Sequence, residues 1–206
     1  MKRFSVFVVA MVLMTAFAIA QKGTFSINAP LGYTFKERVQ FDASYADVSD
    51  AFQYGVGLEY FASKAQSFEL SYQRVDVDFP LYGPLGAKLS DGSGSVNYIL
   101  LGGNSYFGKS YDAKTQPFFG GGLGVGILEG GGESATKFAW NIKTGVKFNT
   151  GKAVSFKLNA YLQSVISTFG YDYWNTWYGP VAVPDYATLL QFGLGGAICL
   201  DFPKKK

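Results

Sequence analysis

Most of the chain alternates between apolar and polar residues with a period of two, the spacing of a β-strand with two unlike faces. Phe25, Ile27, Ala29, Leu31, Tyr33 and Phe35 alternate without a break with Thr24, Ser26, Asn28, Pro30, Gly32 and Thr34. The same rhythm runs through 138–148, with Lys143 and Lys147 on the polar side, and through 154–162, with Lys157 and Asn159. It returns in 190–202, which carries Gln191, Gly193, Gly195 and Asp201 on its polar side. These four segments predict strands. Four more follow with a less regular rhythm. Tyr54, Val56, Leu58 and Tyr60 oppose Gln53, Gly55, Gly57 and Glu59. Phe68, Leu70 and Tyr72 continue against Glu69, Ser71 and Gln73, after which Val75, Val77 and Phe79 take the odd positions. A β-bulge near Gln73-Arg74 would absorb that slip. Residues 95–107 read as a strand whose faces are hidden by the run Ile99-Leu100-Leu101, and Phe119, Leu123, Val125 and Ile127 alternate with Gly120, Gly122, Gly124 and Gly126.

The result is eight strands, joined at roughly 36–51, 63–67, 80–94, 108–115, 129–135, 149–153 and 167–185. The second, fourth and sixth connections are short; the first, third and seventh are long, and the fifth is intermediate. An even number of antiparallel strands with short turns at one end and longer loops at the other is the layout of a membrane barrel. The expected fold class is therefore all-β: an antiparallel up-and-down transmembrane β-barrel of eight strands, with short periplasmic turns and longer outer loops.

The N-terminus points to export. Met1-Lys2-Arg3 is a positive start, 4–18 is almost wholly apolar, and Ala18-Ile19-Ala20 has the form of a cleavage site. The expectation is a cleaved signal peptide over 1–20 and a single barrel domain over 21–206. No later stretch approaches the ~20 consecutive apolar residues of a membrane helix. Composition then narrows the chemistry. The chain has no histidine, which removes histidine-based nucleophilic catalysis and histidine-ligated metals. Its one cysteine, Cys199, permits no internal disulfide. A net charge of +3 is too mild for nucleic-acid binding. An enzyme ranks last among the readings, and no cofactor or metal is expected.

Alternation alone does not say which face is inside, since a soluble lipocalin-like barrel alternates with its apolar face inward. Three features favour apolar-out. The polar face is rich in Gly, Ser, Asn and Gln and carries few charges, unlike a water-facing surface. Aromatics such as Phe25, Tyr33, Phe35, Phe148, Tyr186 and Phe202 fall near strand ends, where the girdles of a membrane barrel belong. The last strand ends in Leu200-Asp201-Phe202, an alternating apolar terminus. With its signal-like start, eight alternating strands and this final strand, the chain resembles the small outer-membrane β-barrel family of Gram-negative bacteria. The resemblance covers nearly all of 21–206. It implies outer-membrane lipids as surroundings and the outer-membrane assembly machinery as a partner, which would read Leu200 and Phe202 as an assembly signal. The tail Pro203-Lys204-Lys205-Lys206 departs from the family, whose aromatic is often the last residue.

With the polar face inward, Glu59, Glu69, Arg74, Lys143, Lys147 and Lys157 point into the lumen. An eight-stranded barrel is just wide enough for side chains to fill, and buried charges must pair. These six residues are expected to form a polar network that plugs the barrel; a narrow pore lined by them is the alternative. The glycine run 120–126 matches no phosphate-loop spacing and no helix follows it; it reads as lumen-facing glycines beside bulky neighbours. Gly130-Gly131-Gly132 reads as a flexible loop. The seventh connection gathers Tyr171, Tyr173, Trp174, Trp177 and Tyr178, amphipathic aromatics suited to a contact patch for a surface ligand. Asp42, Asp47 and Asp50 in the first connection are a weaker candidate for a cation. The function expected is a structural or surface-interaction role through the outer loops, with a narrow pore or transporter of small or apolar solutes, or a soluble periplasmic lipocalin-like binder, as alternatives.

Overall fold

The structure, a computed structural model, describes residues 23–40, 45–63, 65–82, 86–108, 113–151, 153–176 and 179–202. The expected signal peptide and the C-terminal lysines lie outside the described residues. In chain order the strands are β1 (Phe25–Thr34), β2 (Glu37–Gln40), β3 (Tyr45–Val48), β4 (Ala51–Phe61), β5 (Gln66–Asp78), β6 (Leu81–Tyr82), β7 (Lys88–Ser90), β8 (Ser93–Tyr106), β9 (Thr115–Gly130), β10 (Glu133–Asn149), β11 (Val154–Thr176) and β12 (Gly179–Phe202). Eight of them close into an antiparallel barrel in the order β1-β12-β11-β10-β9-β8-β5-β4, and β2-β3-β6-β7 form a separate small sheet. Closure pairs every edge of the barrel wall, which lipid requires because it offers no hydrogen bonds to free backbone groups.

The register fixes the tilt. Paired residues lead once round the wall from Phe25 through Tyr60, Phe68, Gly103, Gly121, Ile142, Leu162 and Phe192. Phe192 O then accepts from Phe35 N, so one circuit climbs from Phe25 to Phe35 on the same strand. An offset of about ten residues over eight strands means a tilt of ~40°. Each residue then rises ~2.5 Å along the axis.

Over most of the wall, polar side chains face in and apolar ones face out. Ser26, Asn28, Glu59, Ser67, Lys157 and Gln163 are buried, while their chain neighbours Ile27, Leu58, Phe68, Leu158 and Leu162 turn outward; Leu31, on the outer wall, is 64% exposed. The lipocalin-like arrangement needs the reverse. Outward aromatics gather at two levels. Phe25, Tyr60, Phe68, Phe148, Phe156 and Phe202 lie at the turn end, and Tyr33, Phe35, Phe52, Phe138, Trp140 and Phe192 at the other. By the register they are separated by ~20–25 Å, the height of a membrane barrel's apolar band. At the upper level Phe35 stacks on Phe192 with centroids 5.6 Å apart, and Tyr33 meets Phe52 edge-on at 5.4 Å.

Four expectations change. The pairing of β5 with β4 and β8 runs unshifted through Gln73 and Arg74, so there is no bulge there. Odd residues of β5 face inward throughout, and Val75 and Val77 are apolar because the lumen itself turns apolar at this height. The phase never slipped; the environment changed. The first and third connections are not plain loops, since they supply the small sheet. The fifth connection tightens to a two-residue turn, in which Gly131 (φ 62°) and Gly132 (φ 85°) both adopt the left-handed backbone of a primed hairpin turn. The seventh continues as strand: β11 and β12 pair from Thr176↔Gly179 downward, with one irregularity at Thr168/Gly170. Their upper parts form a two-stranded ribbon beyond the rim, because β10 leaves β11 at Val165 and β1 leaves β12 at Gly193.

Candidate functional site

Among the described residues, the lumen gathers the ion pairs with both partners largely buried, and it is built in layers. The turn-side layer is charged. Lys157 from β11 donates to Glu59 Oε2 of β4 at 2.6 Å across the interior, and both side chains are almost wholly buried. Glu59 also accepts from Ser67 Oγ (2.6 Å), Tyr106 Oη (2.7 Å), Asn104 Nδ2 (2.8 Å) and Asn28 Nδ2 (3.3 Å). Glu69 accepts from Lys143 Nζ at 2.7 Å and from Asn104 Nδ2 at 2.6 Å. Nearer the turns, Lys147 Nζ lies 3.1 Å from Asp201 Oδ1, and Ser155 Oγ donates to Asp201 at 2.6 Å. The ammonium groups also sit against rings: Lys147 is 4.7 Å from the centroid of Phe61 and Lys157 is 5.6 Å from that of Phe118. Three cations and three carboxylates meet one to one, each pair joining strands far apart in sequence.

Above the charges lies a neutral polar layer. Gln53 donates to Gln163 Oε1 at 3.1 Å and to Gln73, and Gln163 donates to Gln191 Oε1 at 3.1 Å. Tyr98 Oη donates to the same Gln191 oxygen at 3.0 Å. A cavity of about 40 Å³ lies among Gln53, Gln73, Asn141, Lys143, Asn159 and Tyr161. That is room for ~3 waters. Gln53 Oε1 and Tyr161 Oη, both buried on its lining, have no protein partner. Water is the natural occupant.

The outer layer is apolar. Val75, Val77, Val96, Tyr98, Leu100, Ala139, Val165 and Leu189 project inward from five strands and pack with Val48 and Ala51, with Phe79 and Leu128 against them. Glycine makes room for this crowding. A Cβ at Gly126 would sit 2.1 Å from Val165 Cγ2, and one at Gly120 would sit 2.1 Å from Asn104 Oδ1. Gly120 and Gly126 of β9 thus leave room for Asn104 of β8 and Val165 of β11.

Five of the six lumen residues read from sequence meet here: Glu59, Glu69, Lys143, Lys147 and Lys157. Arg74 does not. It lies on an even position of β5, faces outward near the upper girdle, and pairs with Asp76 (2.9 Å) and Glu129 (3.6 Å). The reason is the missing bulge, which would have turned it inward. The sequence reading passed over Asp201, Asn104 and Tyr106, although each lies on the inward phase of its strand; Asp201 was the findable one, as the lone acid on the polar side of the last strand. Asp47 and Asp50 form no cation site. Asp47 holds Arg38 Nε at 2.7 Å and Lys36 Nζ at 3.5 Å, whose charges keep its carboxyl below the usual range, and Asp50 accepts from Tyr33 Oη. Asp42 lies outside the described residues, as do Trp177 and Tyr178. Tyr171, Tyr173 and Trp174 are placed by their backbone on the β11 arm of the ribbon, paired with Pro184, Ala182 and Val181. Leu200 and Phe202 lie at the turn end of β12, both outward, opposite Ile27 and Phe25 of β1.

No protein-family model matches the chain, and no curated protein does. Solved structures do. The outer membrane protein OprG from Pseudomonas aeruginosa aligns with a TM-score of 0.54 at 16% identity over 89% of this chain and 97% of that one. Neisserial surface protein A aligns with a TM-score of 0.53 at 14% identity over 86% of this chain and 99% of that one. At such identities the likeness is one of fold. That fold is the eight-stranded β-barrel of the small outer-membrane proteins, with the apolar face outward and the polar face within.

Proposed function

We propose that this protein is an integral outer-membrane barrel that acts as a closed scaffold. In this reading it holds the small sheet and the β11–β12 ribbon above the membrane for contact with other molecules. One observation carries it: one-to-one ion pairs cross the lumen below and an apolar core fills it above. A hydrated ion entering from either end would have to part a buried ion pair or dewet in the apolar layer. Loops on a rigid frame are where binding functions concentrate. The aromatic segment with Tyr171, Tyr173, Trp174, Trp177 and Tyr178 is the part of the ribbon best suited in composition to a surface ligand. Export through a signal peptide over 1–20, lipid as the surrounding medium, and reading of Leu200 and Phe202 by the assembly machinery complete the proposal. Reconstitution into planar bilayers tests it. The purified barrel should change gel mobility on boiling yet show no stepwise conductance. Discrete channels from the heat-modifiable form would overturn the scaffold reading in favour of a pore.

A further inference from the structure

The small sheet continues four strands of the wall past the outer rim and packs through Val48 on the apolar core at the top of the lumen, where one of its residues is of the wrong kind. In β2 and β3 the pairs are Glu37↔Val48 and Arg38↔Asp47. Directly opposed residues of an antiparallel pair share a face. Val48 is buried in the apolar core at the top of the lumen, so Glu37 faces that core too. Arg38 and Asp47 form their ion pair on the opposite face, where Arg38 also lies 4.3 Å from the Tyr45 ring. A carboxylate therefore occupies a position that the packing assigns to an apolar side chain.

Its two oxygens are unequal. Glu37 Oε1 accepts from Leu190 N at 3.3 Å and so continues the β1–β12 ladder just past the point where β1 ends. Glu37 Oε2 is buried with no partner. This is the side chain that ties the sheet to β12, and its ionised form leaves one charged oxygen unsolvated. Such a group costs free energy that its neutral form does not.

We propose that the β2–β3–β6–β7 sheet is a cap whose docking on the barrel mouth is governed by protonation of Glu37, tight when the carboxyl is neutral and loosened when it ionises. Among the described residues, no cation pairs with it. On its own strand Arg38 is committed to Asp47 and Lys36 also lies within reach of that carboxylate, while Asp50 from the start of the barrel wall accepts from Tyr33. β12 offers the Leu190 amide, and from β8 the group that feels Glu37 is the neutral Tyr98 phenol. Burial pushes the Glu37 carboxyl up to about 7, against a smaller opposite effect of the Leu190 hydrogen bond. The sign follows. A carboxyl raised in the docked state favours docking at low pH, and that advantage is lost as pH rises from the free-carboxyl range to about 7. A shift from 4.5 to about 7 sets a ceiling of about 30-fold on the change in docking between pH 5.5 and 8.5. Because Glu37 is only half-buried, about tenfold is the expected change.

Hydrogen exchange of the full barrel in lipid nanodiscs, corrected for the intrinsic pH dependence of exchange, reads this directly. Protection of 36–40, 45–48 and the Leu190 amide should fall about tenfold from pH 5.5 to 8.5, while the buried barrel strands stay unchanged. Glu37→Gln keeps an acceptor for Leu190 and should abolish the pH dependence. Glu37→Leu supplies the apolar side chain the face calls for and should hold the cap closed at both pH values. Either variant is assayed only after a boiling-dependent gel shift shows that its barrel has formed. Protection that is flat in the wild type, or a fall that persists in both variants, would overturn the proposal.

Discussion

Lys157 and Glu59 meet at 2.6 Å in the middle of the barrel, one from β11 and one from β4, with the lumen between their strands. Four neutral donors share the carboxylate with the ammonium. Removing one partner leaves the other charge buried and unpaired. Lys157→Met should therefore cost ~3–5 kcal/mol, by the behaviour of half-broken buried pairs. The double change Lys157→Met with Glu59→Leu should recover part of that loss, though Asn28, Ser67, Asn104 and Tyr106 then lose an acceptor. Urea unfolding of the three variants in lipid, followed by tryptophan fluorescence, gives the comparison. A single variant as stable as the wild type would mean that water reaches the pair.

The outward apolar belt makes a depth-dependent prediction. By the register, Leu70 and Leu158 lie near mid-height of the wall, whereas Phe52 lies at the upper girdle. Arginine at either leucine should destabilise the barrel by ~2–4 kcal/mol, and Phe52→Arg by ~0–1 kcal/mol, because a rim cation reaches the headgroups. Folding titrations into vesicles measure both. Equal costs at the two depths would mean that the wall is not immersed in hydrocarbon over this height.

Much of the barrel was legible because period-two alternation is a local signal. β1 and the barrel part of β12 could be placed from their own residues, and the inward phase of Glu59, Glu69, Lys143 and Lys157 followed from the strand. What failed was the assumption that one face keeps one character along its whole length. In β5 the inward face carries Ser67, Glu69, Ser71 and Gln73 and then Val75 and Val77, as the lumen passes from polar to apolar. A change of surroundings along the axis looks, in sequence, like a change of phase. It misplaced Arg74 for this reason. The run Ile99-Leu100-Leu101 was opaque for the same one: Leu100 faces the apolar seal while Ile99 and Leu101 face outward, so both faces are apolar there. The small sheet had no comparable signal. β2, β3, β6 and β7 span two to four residues each, and their pairing depends on two connections far apart in sequence. Glu37 was invisible for the same reason, since only the pairing with Val48 shows which way it faces.

Tyr161 packs against the glycines of β12, and glycine is what permits it. A Cβ at Gly193 would stand 2.3 Å from the Tyr161 ring and 2.6 Å from the Tyr33 carbonyl oxygen. Gly193→Ala should cost ~1–3 kcal/mol, the usual penalty of overpacking. Tyr161→Leu should restore part of it, because the ring is one of the two obstacles and the backbone oxygen is the other. A double-mutant cycle in urea separates them. Full additivity would mean that the ring moves aside without cost.

The two closures of the lumen act in series, and this sets the outcome of opening either one. Leu100→Ala with Val165→Ala hollows the apolar layer, at ~2–5 kcal/mol for the leucine and less for the valine, by the cavity rule. The ion pairs beneath remain, so planar bilayers containing this variant should stay silent. Glu69→Gln with Lys143→Gln neutralises one pair beside the water-sized cavity, and the apolar layer still excludes hydrated ions. That variant should be silent too. Combining the four changes joins the outer mouth to the cavity, but Lys157–Glu59 and Lys147–Asp201 still close the turn end, so stepwise conductance is expected only when those two pairs are neutralised as well. Conductance from the Leu100 and Val165 changes alone would mean that the paired charges conduct, and would leave the apolar layer as the barrel's single seal.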